Sequence, residues 1–399
     1  MKCIFKIASL LTLAAVMLLS CNKEQTTPVV TGPKIHDLGV SFDKNIIRND
    51  GETVTLKAYY KGQDVSDQAS FLQYIDGEEL PLIMTSRVFS SDKVGEYRFQ
   101  VAYGAATSDI VSVKVVDQVI PGRTADPQPA NTSFVRRTFF NQHTGANCGY
   151  CPGMTRLLKD TFGEFETDPV KKAAKQEVRE KVVLAALRTY GGGEAGFAQV
   201  ANPSTGWPYL CIDYMDSYDY NKTVEGLTEK INQRTADPAA VGISANPVYY
   251  AATKQIIVRV TVKAAVKGDY NVGLWLMQDN YYRLQSDNLG IISGNSKDPY
   301  HYHNNCVRVA DSKYLGAHIG FPLGMLEAGQ SGDWVFVFDL KDAIEKGKDK
   351  GGWWESFSES RLNDLHFAAF VTTFSGSSYA VLNAIDFPYN TPAQFDYKN

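Results

Sequence analysis

The chain has 399 residues, 44% of them hydrophobic and 21% charged, and a length prior of roughly 150 residues per domain predicts two or three globular domains. Forty Lys and Arg residues against 44 Asp and Glu residues give a net charge of -4. Since the sequence contains no long basic run, it argues against binding to a phosphate backbone, and no nucleic acid is expected as a partner.

The first 20 residues predict a lipoprotein signal peptide. Lysines precede an apolar run over residues 7–19, which is too short to span a bilayer comfortably. The run ends in "LLSC" (residues 18–21), which resembles a bacterial lipobox and implies cleavage before Cys21 and lipid on that residue. Since several acyl chains give stable anchoring, we expect attachment to the outer membrane, on its periplasmic or surface face. A secretory signal with a chance cysteine is the alternative.

A polar tether over residues 21–33 leads into a predicted β-sandwich over residues 34–118. Apolar and polar residues alternate there with a period of two, as in "VTLKAYY". The stretch "GEYRFQVAYG" and the "SDIVSVKVV" that follows resemble the last strands of bacterial immunoglobulin-like domains, which implies a spacer on a surface protein. Three prolines then break the periodicity, so residues 119–131 are interpreted as a linker.

Residues 132–237 predict an α/β domain and residues 238–399 a second, C-terminal β-sandwich. "FVRRTFF" and "KVVLAALRTY" read as strands on either side of a helical pattern that begins at a pair of cysteines, which suggests a parallel βαβ unit. A Gly-rich loop, the short strand "WPYLCI" and a further helix complete this domain. Apolar runs of strand length such as "DWVFVFDL" dominate the rest of the chain, and about eight strands are expected.

Cys148 and Cys151 form a Cys-x-x-Cys pair that is followed directly by Pro152. A pair at the junction of a strand and a helix lies beside the positive end of the helix dipole, which favours a thiolate. Such a position lowers a cysteine pKa from about 8.5 to between roughly 3.5 and 7.5. Cys148 is therefore the candidate attacking thiol and Cys151 the candidate resolving thiol.

The pair and its surroundings resemble the thioredoxin fold, whose members place a cis-proline against the cysteines. Pro208 in "GWPYLCI" has the matching position in chain order, so the resemblance implies that Pro208 is cis and belongs to the site. Residues 132–399 are similar to a family of Bacteroidota lipoproteins known as the outer membrane protein of 28 kDa. The matching motifs are "HTGANCGYCP" (143–152), "HNNCVR" (303–308) with Gly316, and "LNA" (382–384).

Two positions depart from these patterns. Thioredoxins carry a buried carboxylate six residues before the first cysteine, and this chain has Gln142 there, so no base is evident. His143 replaces the phenylalanine of the family motif and could act as a base or a ligand, although a histidine at a strand end is typically a solvated surface residue. The short strand after Pro208 leads almost directly to a helix, so the usual second strand of the hairpin is expected to be missing.

A metal site is an alternative use of the cysteine pair. A zinc or copper ion needs about four ligands, and the weak candidates that could join the pair are His301, His303 and Cys306. His303 is expected instead to be a hydrogen-bonding loop residue. Cys211 is interpreted as a buried apolar cysteine, with a disulfide to Cys306 as the alternative.

These observations favour an envelope lipoprotein with a thiol-disulfide redox pair at Cys148 and Cys151 and no cofactor. Its expected partners are the membrane, through lipid on Cys21, and protein thiols of the envelope. The competing interpretation is a surface binding or adhesion protein that meets an extracellular ligand and in which the pair is a permanent structural disulfide.

Overall fold

Strands account for 45% of the computed structural model, so β-sheet dominates the molecule. The structure describes residues 37–61, 63–188, 206–312, 319–346, 357–375 and 378–398. The predicted signal peptide, the tether, Cys21 and Gly316 lie outside the described residues. Within them, no helix is long and apolar enough to cross a membrane.

The N-terminal domain consists of two sheets that share one core. Its strands are β1 (Leu38–Phe42), β2 (Ile46–Arg48), β3 (Val54–Tyr60), β4 (Gln63–Asp64), β5 (Ser70–Tyr74), β6 (Leu82–Ile83), β7 (Val88–Phe89), β8 (Gly95–Tyr103), β9 (Ala106–Thr107) and β10 (Val111–Val116). One sheet has the order β1-β3-β4, with β7 on β3, and the other β2-β10-β8-β5-β6, with β9 on β8. Alternate residues such as Leu56 in β3 and Phe99 in β8 are buried in the common core. The predicted β-sandwich is confirmed.

The central part of the chain contains the predicted parallel unit. Its elements are β11 (Thr138–Thr144), α1 (Cys151–Phe162), α2 (Pro169–Glu180), β12 (Val182–Arg188), β13 (Tyr209–Ile212), β14 (Asp216–Tyr218) and α3 (Val224–Thr235). β11 pairs with β12 in parallel on one side and with β13 antiparallel on the other. Apolar residues of α1 such as Met154 and Leu158 pack on this sheet in a core shared with β11, β12, β13 and α3.

The expectation that the hairpin lacks its second strand is wrong. β14 pairs with β13 antiparallel over three residues. The turn between them is tight because Asp213 and Tyr214 both adopt positive φ angles, 53° and 58°. Neither residue is glycine, so a single aspartate was the turn signal that the sequence carried here.

The C-terminal part is a second β-sandwich, as predicted. Its elements are β15 (Val241–Tyr250), β16 (Gln255–Ala264), β17 (Gly268–Gln278), β18 (Tyr281–Tyr282), β19 (Tyr302–His303), β20 (Cys306–Asp311), β21 (Phe321–Leu326), β22 (Ser331–Asp339), α4 (Lys341–Lys346), β23 (Leu365–Ser375) and β24 (Ser378–Pro388). The three-stranded sheet β15-β16-β22 shares a core with strands of the large sheet, through residues such as Val258, Phe336, Leu276 and Phe367.

One sheet joins the central and C-terminal parts. β12 pairs in parallel with β20 at Ala186 and Cys306, which gives the strand order β14-β13-β11-β12-β20-β17-β23-β24, with β21 also on β17. The rings of Phe139, Trp275 and Phe370 pack together across this junction. The predicted boundary at residues 237 and 238 therefore divides the sequence but not the sheet, and the individual domain limits stay predictions.

Candidate functional site

The cysteine pair lies between the end of β11 and the start of α1. Cys148 and Cys151 form a disulfide, with their Cα atoms 5.4 Å apart. Cys151 is the first residue of α1 and Pro152 the second, a position where the missing N–H breaks no helical hydrogen bond. The backbone amides at the start of the helix and its dipole face the pair, so this end of α1 favours a thiolate once the disulfide is reduced.

Both cysteines are withdrawn from solvent. Cys148 keeps 4% of its accessible surface and Cys151 none. A nucleophilic thiol must reach a partner sulfur, and in this conformation the pair is not accessible to one.

Pro208 lies next to the same end of β11. The Trp207–Pro208 peptide bond is cis, as the thioredoxin resemblance implies. β13 begins directly after it, and Tyr209 is the register partner of His143. Continuing that antiparallel register by one residue places Pro208 opposite Thr144, from which the chain enters the cysteine loop.

The expectation that His143 is a solvated surface residue is wrong. Its side chain is buried, because β11 has neighbours on both sides and His143 pairs with Leu187 as well as Tyr209. Burial lowers the pKa of His143 to about 4. At neutral pH the imidazole is therefore uncharged, and it offers neither a positive charge to a thiolate nor a strong base to a thiol.

Gln142 faces the first helix from β11. Its Nε2 lies 3.5 Å from Thr155 Oγ1, and the side chain is buried. An amide at this position cannot accept the proton of Cys151. The site therefore has the geometry of a strand, a cysteine loop and a helix, without a carboxylate at the place where thioredoxins carry one.

A buried carboxylate does lie on the neighbouring turn, but at the far end of the strand. Asp213 accepts a hydrogen bond from the Phe139 amide at 2.8 Å and lies 3.2 Å from Arg136 Nη2. Its burial raises its pKa. Five residues at about 3.3 Å each separate Phe139 from Thr144, so Asp213 anchors the start of β11 and does not serve the cysteines.

Residues 283–289, which we call the cover segment, lie against the cysteine loop, and no motif in the sequence marks them. The Gln285 side-chain amide lies 3.0 to 3.1 Å from three carbonyl oxygens of that loop, those of Gly145, Ala146 and Cys148. Two backbone amides of the segment add hydrogen bonds of 2.7 Å each, from Ser286 to the Ala146 oxygen and from Asn288 to the Gly149 oxygen. The cover segment thus binds the loop on both sides of Cys148.

Two glycines permit this close approach. A Cβ atom at Gly149 would lie 2.3 Å from Asn288 Cγ, and one at Gly153 would lie 2.9 Å from a methyl group of Leu289. Contacts below 3.0 Å are not tolerated, so a larger residue would force the Asn288 side chain to move at Gly149, and the Tyr220 and Leu289 side chains at Gly153. The glycines of the cysteine loop and of the first turn of α1 therefore belong to the contact surface of the segment.

The histidines proposed as weak metal candidates hold the cover segment instead. His301 Nδ1 accepts a hydrogen bond from the Gln285 backbone amide at 3.1 Å. His303 Nε2 lies 3.0 Å from the Arg283 oxygen, and burial places its pKa well below the usual value. Among the described residues, no three His, Cys, Asp or Glu side chains are grouped to bind a metal, so the structure does not bring these candidates together with the cysteine pair as ligands.

The interpretation of Cys211 as a buried apolar cysteine is confirmed, and the proposed disulfide to Cys306 is wrong. Cys211 is a thiol on β13 whose pKa is raised to about 12 by burial. Cys306 lies on β20, three strand positions away in the sheet. At about 4.8 Å per strand that separation is close to 14 Å, twice the Cα distance that a disulfide can bridge.

Comparison with solved structures gives distant similarities. HBP35 of Porphyromonas gingivalis has a TM-score of 0.48 and 15% sequence identity, covering 67% of this chain and 80% of that chain. The three N-terminal domains of the bacteriophage RB49 Highly Immunogenic Outer Capsid protein (Hoc) have a TM-score of 0.15 and 7% identity, covering 90% of this chain and 99% of that chain. No family model and no curated protein matches the chain. The resemblance of residues 132–399 to the outer membrane protein of 28 kDa family stays a prediction.

Proposed function

We propose that this chain is a lipid-anchored protein of the cell envelope that carries out thiol-disulfide exchange through Cys148 and Cys151 in a thioredoxin-like unit. The observation that carries the proposal is the position of the disulfide, which spans the turn between β11 and the first residue of α1. The antiparallel strand β13, preceded by Pro208 and paired to the other edge of β11, supports the same assignment.

The exchange uses only sulfur chemistry. In the reduced pair, the Cys148 thiolate attacks one sulfur of a partner disulfide, and the other partner sulfur leaves as a thiolate. Cys151 loses its proton and attacks Cys148 Sγ, which re-forms the Cys148–Cys151 disulfide and releases the second partner thiolate. Two electrons pass to the partner, and a dithiol of the envelope restores the reduced pair by the reverse steps.

The test is capture of partners by a variant that cannot complete the second step. Cys151→Ser should accumulate mixed disulfides with envelope proteins, visible as bands that disappear on reduction. Cys148→Ser is the matched control, because it keeps Cys151 and the buried thiols Cys211 and Cys306 but lacks the attacking thiol. It should capture nothing. Equal capture by the two variants would contradict the proposed exchange function.

Burial of the pair favours a second candidate function. A disulfide with 4% and 0% exposed cysteines also suits a permanent staple in a surface binding protein. Differential alkylation of the protein in intact cells separates the two candidates. A pair that is partly reduced in cells supports exchange, whereas a pair that is oxidised under all growth conditions supports the staple.

Anchoring by lipid on Cys21 is part of the proposal. The hydrophobic run of residues 7–19 and the "LLSC" that ends at Cys21 support it. Cys21→Ala should move the protein from the envelope to a soluble fraction, whereas unchanged retention would place the anchor elsewhere. A Ser20→Ala variant, which keeps the cysteine, controls for the change of one residue at the cleavage site.

A further inference from the structure

We infer that the cover segment, residues 283–289, is a removable cover over the cysteine loop and that Gln285 is the positioning residue that holds it closed. Release of this segment then sets the rate at which the Cys148–Cys151 disulfide meets another thiol or a reductant. The inference rests on the proposed function, because exchange is what gives a removable cover its purpose.

The contacts of Gln285 are the first support. Its Nε2 carries two hydrogens and lies within 3.1 Å of three loop carbonyls and of the Ser286 oxygen. The side-chain amide thus divides its hydrogen bonds among the carbonyl oxygens of Cys148 and of two residues that precede it. Together with the amides of Ser286 and Asn288, it supplies the hydrogen bonds between the segment and the loop. Loss of the Gln285 amide therefore removes contacts to three carbonyl groups of the loop at once.

The nature of these contacts makes the closure reversible. They are hydrogen bonds between uncharged groups, whose net contribution is small because water replaces the lost partner on opening. The apolar side chains of the segment are only partly covered, with Leu284 62% and Leu289 40% exposed. Since little apolar surface is buried, opening the segment costs less than unfolding the sheet beneath it.

The cover segment belongs to the connection between β17 and β20, residues 279–305. Both ends of this connection are fixed, so the segment can move without displacing the strands. Asp279 directly follows β17, and its Oδ1 accepts a hydrogen bond of 2.7 Å from the Asn305 amide, directly before β20. His366 Nε2 lies 3.3 Å from the same carboxylate. Motion is thereby confined to the residues between Asp279 and Asn305.

The test is the rate of reduction of the disulfide by tris(2-carboxyethyl)phosphine in large excess, followed by maleimide labelling and mass spectrometry. The phosphine and one water yield two protein thiols and the phosphine oxide, so no protein partner is needed. Gln285→Ala should be reduced roughly tenfold faster than the wild type, as expected for two lost hydrogen bonds. Gln285→Glu should be faster still, because a carboxylate repels the three carbonyl oxygens.

Gln100→Ala is the matched control. Gln100 Nε2 also donates to a backbone carbonyl, that of Ser108 at 2.8 Å, but in the N-terminal domain. Its reduction rate should equal that of the wild type, and all variants should keep the wild-type melting temperature within a few degrees. Equal reduction rates for the wild type and both Gln285 variants would overturn the inference.

Hydrogen exchange of the unmodified protein gives a second test that needs no variant. The amides of Ser286 and Asn288 should exchange together and much faster than the amides of β17. If they exchange only as slowly as β17, the cover does not open and the inference fails. If Gln285→Ala is reduced faster but Cys151→Ser captures no partner, the cover stands and the exchange function is rejected. If Gln285→Ala is reduced at the wild-type rate but Cys151→Ser captures partners, only the cover is rejected.

Discussion

Two irregular segments pack against other parts of the chain, and they are held by different chemistry. Residues 119–131 are attached in part by cationic side chains, since Lys263 Nζ lies 2.9 Å from Asp126 Oδ2 and Arg259 Nε donates to the Pro121 oxygen at 2.6 Å. The cover segment is attached to the cysteine loop by uncharged amides. The first segment therefore connects two domains firmly, whereas the second is suited to release.

This difference follows from the cost of leaving a charge without its partner. The Lys263 side chain is 3% exposed, so removal of either member of its ion pair leaves the other poorly solvated. An amide that leaves a carbonyl is replaced by water at a small net cost. The stretch interpreted as a linker from its prolines is thus a connection in sequence but a fixed part of the structure.

The largest expected effect comes from breaking the charged attachment. Lys263→Met keeps the length of the side chain but leaves the Asp126 carboxylate, the Pro129 oxygen and the Tyr397 hydroxyl without the ammonium group that they contact. We expect the free energy of unfolding of the C-terminal part to fall by about 3 kcal/mol. Urea denaturation followed by tryptophan fluorescence measures the change.

Lys267→Met is the control for that variant. Lys267 also pairs with a carboxylate, that of Glu327 at 2.6 Å, but both side chains are 63% exposed. Exposed pairs contribute about 0–1 kcal/mol. A loss in Lys263→Met no greater than in Lys267→Met would show that burial does not distinguish the two contacts and would weaken the contrast between the segments.

The next effect concerns His366, which contacts Asp279 at the start of the connection that carries the cover segment. Contacts with Asp279 and Asp386 outweigh burial and raise the pKa of His366 to about 9. A pKa raised above the unfolded value of about 6.5 means that the stabilisation is complete below pH 6.5 and is lost as the pH rises toward 9. We expect the wild type to lose about 2 kcal/mol of unfolding free energy across this range.

His366→Gln isolates this contribution. The variant should be less stable than the wild type at pH 6, and the difference should shrink toward pH 9. Taking the difference between the two proteins removes the titration of other groups, such as the buried Cys211 thiol. A difference that stays constant from pH 6 to pH 9 would contradict the assigned charge on His366.

The same contrast explains what the sequence could predict. Alternation in stretches such as Val54–Tyr60 marks strands with one buried face, so both β-sandwiches were predictable. The cysteine pair was predictable as a disulfide because both residues lie within one turn of a helix start. These features depend on neighbours in the chain.

The rest depends on distant neighbours. Gln285 is 137 residues from Cys148, and its partners are backbone carbonyls, which no side-chain pattern marks. His143 was expected in solvent because it ends a strand, but the sequence does not show that this strand has partners on both sides. Likewise, the proximity of β20 to β12, which joins the predicted domains, has no local signature.

The smallest expected effect concerns the step that follows release of the cover. Cys151 must lose a proton before it attacks Cys148, and His143, with a pKa of about 4, would be a weak acceptor. Gln142→Asp would place a carboxylate against α1, where the Gln142 amide now lies 3.5 Å from Thr155 Oγ1. In single-turnover mixing of the reduced protein with excess bis(2-hydroxyethyl) disulfide, the resolving step should become about three- to tenfold faster. Gln142→Asn has the same shorter side chain without a base, so equal rates for the two variants would show that proton removal from Cys151 does not limit exchange.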